Sequence, residues 1–240
     1  MKDISYYSDL LKIDLSEEQI KSFDTYMNMV IEKNKVMNLT AITDPEEFAL
    51  KHFADSLSLI SAAPEAAAIS KEAVSVIDVG TGAGFPGVPL KLAFPNVKLT
   101  LLDSLNKRIT FLNEVVDKLQ LDNVTTLHAR AEEGGRNPKL RDKFDFAVSR
   151  AVANLSALTE YTLPYVKVGG LFISYKSGDI EEELKSSERA IKLLGGKLET
   201  VRTFQLADSD ISRSFVIIRK EKPTPKVYPR KPGTAKRDPL

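Results

Sequence analysis

The sequence predicts an α/β fold built on a mostly parallel, seven-stranded sheet with a helical extension in front of it. Three observations carry this reading. From residue 74 onward, short β-branched runs alternate with longer stretches of helical period, the pattern of βαβ units. The first of these runs, Val74-Ser75-Val76-Ile77-Asp78-Val79, flows into a turn with Gly80, Gly82 and Gly84 and then into a helix near Pro86. Residues 1–40, by contrast, read as helix throughout.

Taken in order, Ser16-Glu17-Glu18-Gln19 is a helix start, followed by Ile20, Phe23, Tyr26, Met27, Val30 and Ile31 at helical spacing. That stripe is a packing face. Asp44-Pro45-Glu46-Glu47 opens another helix, on which His52 and Asp55, three residues apart, share a face. They fit either a substrate contact or a local helix-surface hydrogen bond. Residues 62–68, rich in alanine, connect to the sheet. Strands are expected at 74–79, 98–102, 124–128, 144–148, 170–175, about 198–204 and 214–219, with helices near 86–93, 105–119, 154–163 and 180–194. Right-handed crossovers then bring Gly80, Asp103, the residues after His128, and Ser149-Arg150 to one edge of the sheet, where a ligand should lie.

A chain of 240 residues with 42% hydrophobic content can bury one good core and still carry appendages. The expected division is a helical extension at 1–72, a sheet domain at 73–222 and a basic, proline-rich tail at 223–240. The absence of cysteine excludes disulfides, thiolate metal sites and a cysteine nucleophile, and two histidines leave little for a metal cluster. The N-terminus lacks a basic and apolar signal region, and no run approaches the ~20 apolar residues of a membrane span, so a cytoplasmic protein is expected. The net charge of +1 is an average: residues 1–72 carry −6 and residues 219–240 carry +6. Such a basic end suits phosphate attraction, and Tyr228 among its cations offers one stacking ring for a nucleic acid; a solvated tail with no partner explains the same composition.

The glycine turn is where chemistry is written most plainly. Glycine removes Cβ atoms and lets backbone approach a ligand closely. The spacing Gly-x-Gly-x-Gly, with Phe85 where the dinucleotide fingerprint has its third glycine, and the carboxylate of Asp78 just before it both argue against a pyrophosphate. An acid and glycines suit a ligand with a cationic amino group and a ribose but no phosphate, which describes S-adenosylmethionine. Asp103 ends the next apolar run, 25 residues after Asp78, and is placed to bind ribose hydroxyls. Ala131 is small enough to admit a base and the Glu132 amide could meet its edge, although a plain helix N-terminus accounts for both. Arg150 could reach a cofactor carboxylate or an RNA phosphate, or simply pair with a nearby acid; Lys176 and Lys107-Arg108 are further cations at the same edge or solvated charges.

Read together, Asp78-Val79-Gly80-Thr81-Gly82-Ala83-Gly84-Phe85-Pro86-Gly87 and Leu102-Asp103-Ser104-Leu105-Asn106-Lys107-Arg108 closely resemble the RsmG (GidB) family of bacterial ribosomal RNA methyltransferases. The resemblance extends to Asn38-Leu39-Thr40, to 51–57, to Ser149-Arg150-Ala151 and to 228–233, nearly the whole chain. It implies a Rossmann-like class I methyltransferase that moves a methyl group from S-adenosylmethionine to N7 of one guanine in 16S ribosomal RNA; the expected partner is that RNA, the 30S subunit or an assembly intermediate, and the protein is expected to be a monomer. It also implies cofactor contacts at Gly80, Phe85, Ala131, Glu132 and Arg150. Guanine N7 has a free lone pair and no proton to lose, so positioning can supply most of the catalysis and no general base is assigned. The alternatives are an enzyme of the same fold acting on a small metabolite, and an RNA-binding assembly factor that keeps only the adenosine pocket.

Overall fold

The computed structural model describes residues 2–178 and 180–240. Its helices are α1 (Ile4–Leu11), α2 (Glu17–Met37), α3 (Pro45–Phe48), α4 (Asp55–Ala62), α5 (Ala68–Lys71), α6 (Gly87–Ala93), α7 (Asn106–Lys118), α8 (Ala131–Gly134), α9 (Leu155–Thr162), α10 (Glu181–Leu193) and α11 (Thr234–Arg237). The strands are β1 (Ser75–Val79), β2 (Lys98–Asp103), β3 (Val124–His128), β4 (Phe144–Arg150), β5 (Val166–Ser177), β6 (Gly196–Gln205) and β7 (Ser212–Lys220). Among the described residues these form a seven-stranded sheet in the order β3-β2-β1-β4-β5-β7-β6. Strands β1 to β5 pair in parallel, and β7 runs antiparallel between β5 and β6. The expected α/β class, with its mostly parallel sheet and leading helices, is what the chain adopts.

Alternation along the strands builds two cores, one on each face of the sheet. Val76, Leu101, Val148, Ile173 and Ile217 face the N-terminal helices with α6 and α7, while Ile77, Leu102, Ala147, Phe172 and Ile218 face α9, α10 and α11. Strand β5 begins at Val166, earlier than the sequence suggests. Gly169 (φ +89°) and Gly170 serve a bulge in this earlier part of the strand: a Cβ on Gly170 would lie 2.5 Å from the Asp145 carbonyl, and the register against β4 shifts there.

The extension is part of the same body. Ser16 accepts from the Gln19 amide and the Gln19 side chain accepts from Ser16, the expected capping box; the same glutamine donates to the Leu92 and Ala93 carbonyls at the end of α6. Phe23, Tyr26 and Val30 of the apolar stripe are fully buried. Asp44 caps α3 with Pro45 in the first turn, and a π-helical segment, Ala49–Ala54, joins α3 to α4. The tail also folds down. Arg141 donates to the Thr224 and Tyr228 carbonyls and Arg136 to those of Val227 and Pro229, so a segment whose prolines lack N–H groups is held by its carbonyls. No helix among the described residues is long and apolar enough to cross a membrane.

Candidate active site

The turn after β1 is tied internally. The amides of Gly80 and Thr81 donate to the Leu102 carbonyl, those of Gly84 and Phe85 to the Thr81 carbonyl, and those of Gly82 and Gly87 to the carboxylates of Asp103 and Asp78. A phosphate would find these donors taken. Asp78 lies beneath the turn, fully buried, its Oδ2 accepting from Thr81 Oγ1 at 2.7 Å and the Gly87 amide at 2.8 Å. Burial, opposed by those bonds and by Arg150, pushes its carboxyl up to about 6. Its geometry is that of a residue that holds the turn from below. Tyr26 reaches in from α2 and donates to the Ala83 carbonyl at 2.7 Å. Gly80 has φ +74°, and a Cβ there would lie 2.6 Å from Val152 Cγ2, so glycine is required on both counts.

A cavity of about 320 Å³ opens beside the turn, lined by Gly80, Asp103, Ala131, Glu132, Tyr161 and Lys236 among others. Strand ends β1, β2 and β3 thus converge as the crossovers require. Asp103 is 2% exposed; its Oδ2 takes the Gly82 amide and Arg108, and its Oδ1 takes the Leu105 amide at 2.9 Å. A carboxylate has about four acceptor positions, which leaves capacity for a hydroxyl. Ala131 starts α8, and its carbonyl accepts from Tyr165. The Glu132 side chain turns the other way, to the Gly233 amide at 2.9 Å.

Phe85 and Arg150 sit apart from this cavity. Phe85 is packed among Tyr26, Phe48 and Phe53 from the extension, with the His52 ring stacked on it at 4.5 Å. The Arg150 guanidinium lies 5.1 Å from the Phe85 centroid and donates to Asp55 Oδ2 at 2.7 Å, to the Lys51 carbonyl and to His52 Nδ1. Arg150 is thus a paired cation, and its partners are His52 and Asp55, which reach β4 instead of bonding along their own helix. Arginine can only donate, so His52 Nδ1 accepts and its Nε2–H donates to Thr40 Oγ1 at 2.7 Å. Burial, with Arg150 and Lys51 nearby, lowers the imidazole to about 3 and keeps it neutral.

Lys51, His52, Asp55 and Arg150 wall a second cavity, of about 480 Å³, with Lys176 and Arg213. Ala151, left-handed at φ +57°, borders both cavities. Sequence reasoning missed Arg213, which binds the other Asp55 oxygen at 2.7 Å from β7, and Tyr161 and Lys236; only contact across the fold reveals them. Lys176 is held by Glu183 at 2.7 Å and the Ala153 carbonyl.

Two cavities meeting at a strand-end edge, one floored by an acid and glycines, are matched by close likeness of sequence. Residues 19–212 match the GidB family, described as rRNA small subunit methyltransferase G. The chain belongs to this family. The ribosomal RNA small subunit methyltransferase G of Lachnoclostridium phytofermentans is 51% identical over 230 residues, 96% of this chain and 93% of that protein. That of Acetivibrio thermocellus is 50% identical over 228 residues, 95% and 91% respectively. As a member, the protein is an S-adenosylmethionine-dependent rRNA methyltransferase. The fold is shared with distant solved structures: a putative sarcosine dimethylglycine methyltransferase from Galdieria sulphuraria (12% identity, TM-score 0.53, 69% of this chain and 85% of that one) and M. jannaschii TYW2 in complex with AdoMet (18%, 0.51, 65% and 74%).

Proposed function

We propose that the enzyme methylates N7 of a guanine in small-subunit ribosomal RNA, with the cofactor in the smaller cavity and the guanine entering through the larger. The observation that carries this reading is the pair of cavities sharing Ala151, one bounded by Gly80 and Asp103, the other by Lys51, Arg150, Lys176 and Arg213. The residues fit S-adenosylmethionine: the amides of Gly80, Thr81, Gly82, Gly84, Phe85 and Gly87 are already engaged within the protein, which disfavours a phosphate, and Asp103 retains acceptor capacity for a ribose. When bound, the cofactor supplies an electrophilic methyl group on a sulfonium. Gly80 admits it to the backbone, Ala131 and the Glu132 amide meet the base, Phe85 and Arg150 form the partition toward the RNA, and Asp78 fixes the turn from below.

No residue is asked to remove a proton. Guanine N7 offers a lone pair directly, and His52 has both ring nitrogens engaged, so it cannot act as a base without releasing Arg150. Rate then comes from holding methyl and N7 in line. The division at 72/73 and 222/223 enters with a definite meaning: the extension builds the RNA-side cavity and the tail adjoins the cofactor. The substrate is 16S RNA, either free or in the 30S subunit or an assembly intermediate, and the enzyme works as a cytoplasmic monomer.

The test is transfer of label from methyl-labelled cofactor to unmodified 16S RNA and, separately, to 30S particles, with the product mapped by cleavage at N7-methylguanine. One labelled guanine N7 is expected, and the two substrates compared show which of them the enzyme takes. Label on a ring carbon or an exocyclic amine, or on small metabolites alone, overturns the proposal.

A further inference from the structure

The tail was expected to be available to nucleic acid, yet two buried carboxylates of the sheet domain are committed to it. Glu160, on α9, is fully buried. Its carboxylate takes the Arg230 guanidinium through Nε at 3.0 Å and Nη2 at 2.7 Å, and also the Arg230 backbone amide at 2.6 Å. Glu132, 5% exposed, takes the Gly233 amide at 2.9 Å. Between and after these two clamps, Gly233 and Lys236 line the smaller cavity, and Ala235 is buried among the residues of α9. Ser156 holds the chain end through the Leu240 carbonyl.

We propose that the segment 228–237 is a structural wall of the cofactor site, and that Glu160 and Arg230 are positioning residues for cofactor binding. The proposal rests on the reading that the smaller cavity is the cofactor's. Its physical basis is that Glu160 has no partners among the described residues other than Arg230, so a free tail would leave a carboxylate buried and unpaired. The tail therefore stays docked, by a two-pronged charged contact of high geometric specificity. Glu132 then couples the two halves of the wall. Its backbone belongs to the start of α8, where the base should lie, and its side chain belongs to the tail. A shift of the tail is felt at α8, and a ligand against α8 steadies the tail. The wall thus acts on the cofactor before any RNA is present.

The experiment is done on the full-length protein without RNA, using S-adenosylhomocysteine as the probe. Calorimetry should give Arg230→Met a dissociation constant at least ten-fold above wild type, and restoring a cation in Arg230→Lys should recover part of the loss. Hydrogen exchange on the wild-type protein supplies a measurement that needs no variant to fold: the probe should slow exchange of amides in 229–237 as well as in 80–84. If 80–84 is protected, 229–237 is not, and Arg230→Met binds like wild type, the wall is disproved while the cofactor reading stands. The wall is equally disproved if Arg230→Met raises only KM for RNA. If 80–84 is unprotected and Gly80→Asp binds the probe normally, the cofactor reading itself fails, and the wall with it.

Discussion

The two cavities on either side of Ala151 are made by different means. The smaller has its floor at the ends of three neighbouring parallel strands, β1, β2 and β3, and the contacts of that floor span short distances in sequence: Thr81 to Asp78, Gly82 to Asp103, Leu105 to Asp103. The larger is built from side chains that meet only when the extension folds onto the sheet: Arg150 to Asp55 and His52, Arg213 to Asp55. The first is a backbone device and depends on the absence of side chains. The second is a charge network and depends on their presence. A local motif can specify the floor of the first, whereas the second exists only if α2 to α4 dock correctly.

The largest expected effect breaks the first region alone. Gly80→Asp places a Cβ against Val152 at a left-handed backbone, so cofactor affinity should fall by more than about 100-fold, read by calorimetry, while the ion pairs around Asp55 persist. Retained binding would remove the turn from the site.

The two regions should also respond to pH in opposite senses. Asp78 has a folded pKa of about 6 against 3.8 for the free group, so its stabilising contribution is complete at low pH and is lost as pH rises through about 6. The gap between the two values corresponds to about 3 kcal/mol. His52 is the reverse: with a folded value of about 3 against 6.5, its contribution is present above the free value and is lost on acidification toward 3. Urea unfolding across this range should show Asp78→Asn losing the decline between about pH 4 and 6, and His52→Gln losing the decline on the acid side. Equal curves for the wild type and both variants would refute the assignment.

Arg150→Met sharpens the contrast. It removes one of two arginines from Asp55 and the cation from the Phe85 face, so stability should drop by about 2 kcal/mol. Methylation of RNA should fall about 30-fold with only a few-fold loss of cofactor affinity, about 2 kcal/mol in the barrier. A cofactor defect as large as the rate defect would mean that Arg150 serves the first cavity. The smallest effect belongs to Tyr26→Phe, which leaves the Ala83 carbonyl without its buried donor. About 1 kcal/mol of stability and a few-fold loss in cofactor affinity are expected, by thermal melting and calorimetry. No change in affinity would show that the extension does not steady the turn.

Much of the fold was legible because its signals are local. The Ser16 capping box, the proline start after Asp44, the strand-to-turn passage at Asp78-Val79-Gly80 and the alternating runs beyond it each follow from propensity and period. Local reasoning misjudged the elements whose meaning depends on a neighbour. Strand β5 begins at Val166 and not at 170, because the bulge that carries it through Gly170 is set by the Asp145 carbonyl on another strand. The bonds that Asp78 makes to Thr81 and Gly87 were equally beyond local reasoning, because only the fold decides on which side of a strand end its carboxylate emerges.

By itself, the sequence determined the α/β alternation, the helical front and the glycine turn with acids on two strand ends, since periodicity and backbone freedom are properties of consecutive residues. The tertiary structure alone decided that His52, Asp55, Arg150 and Arg213 form one network, and that Glu132 and Glu160 fasten the tail against the smaller cavity. Partners so far apart in the chain carry no mark of each other in composition or spacing. They are chosen by burial, because a charge taken out of water must find its counterpart wherever the fold presents it.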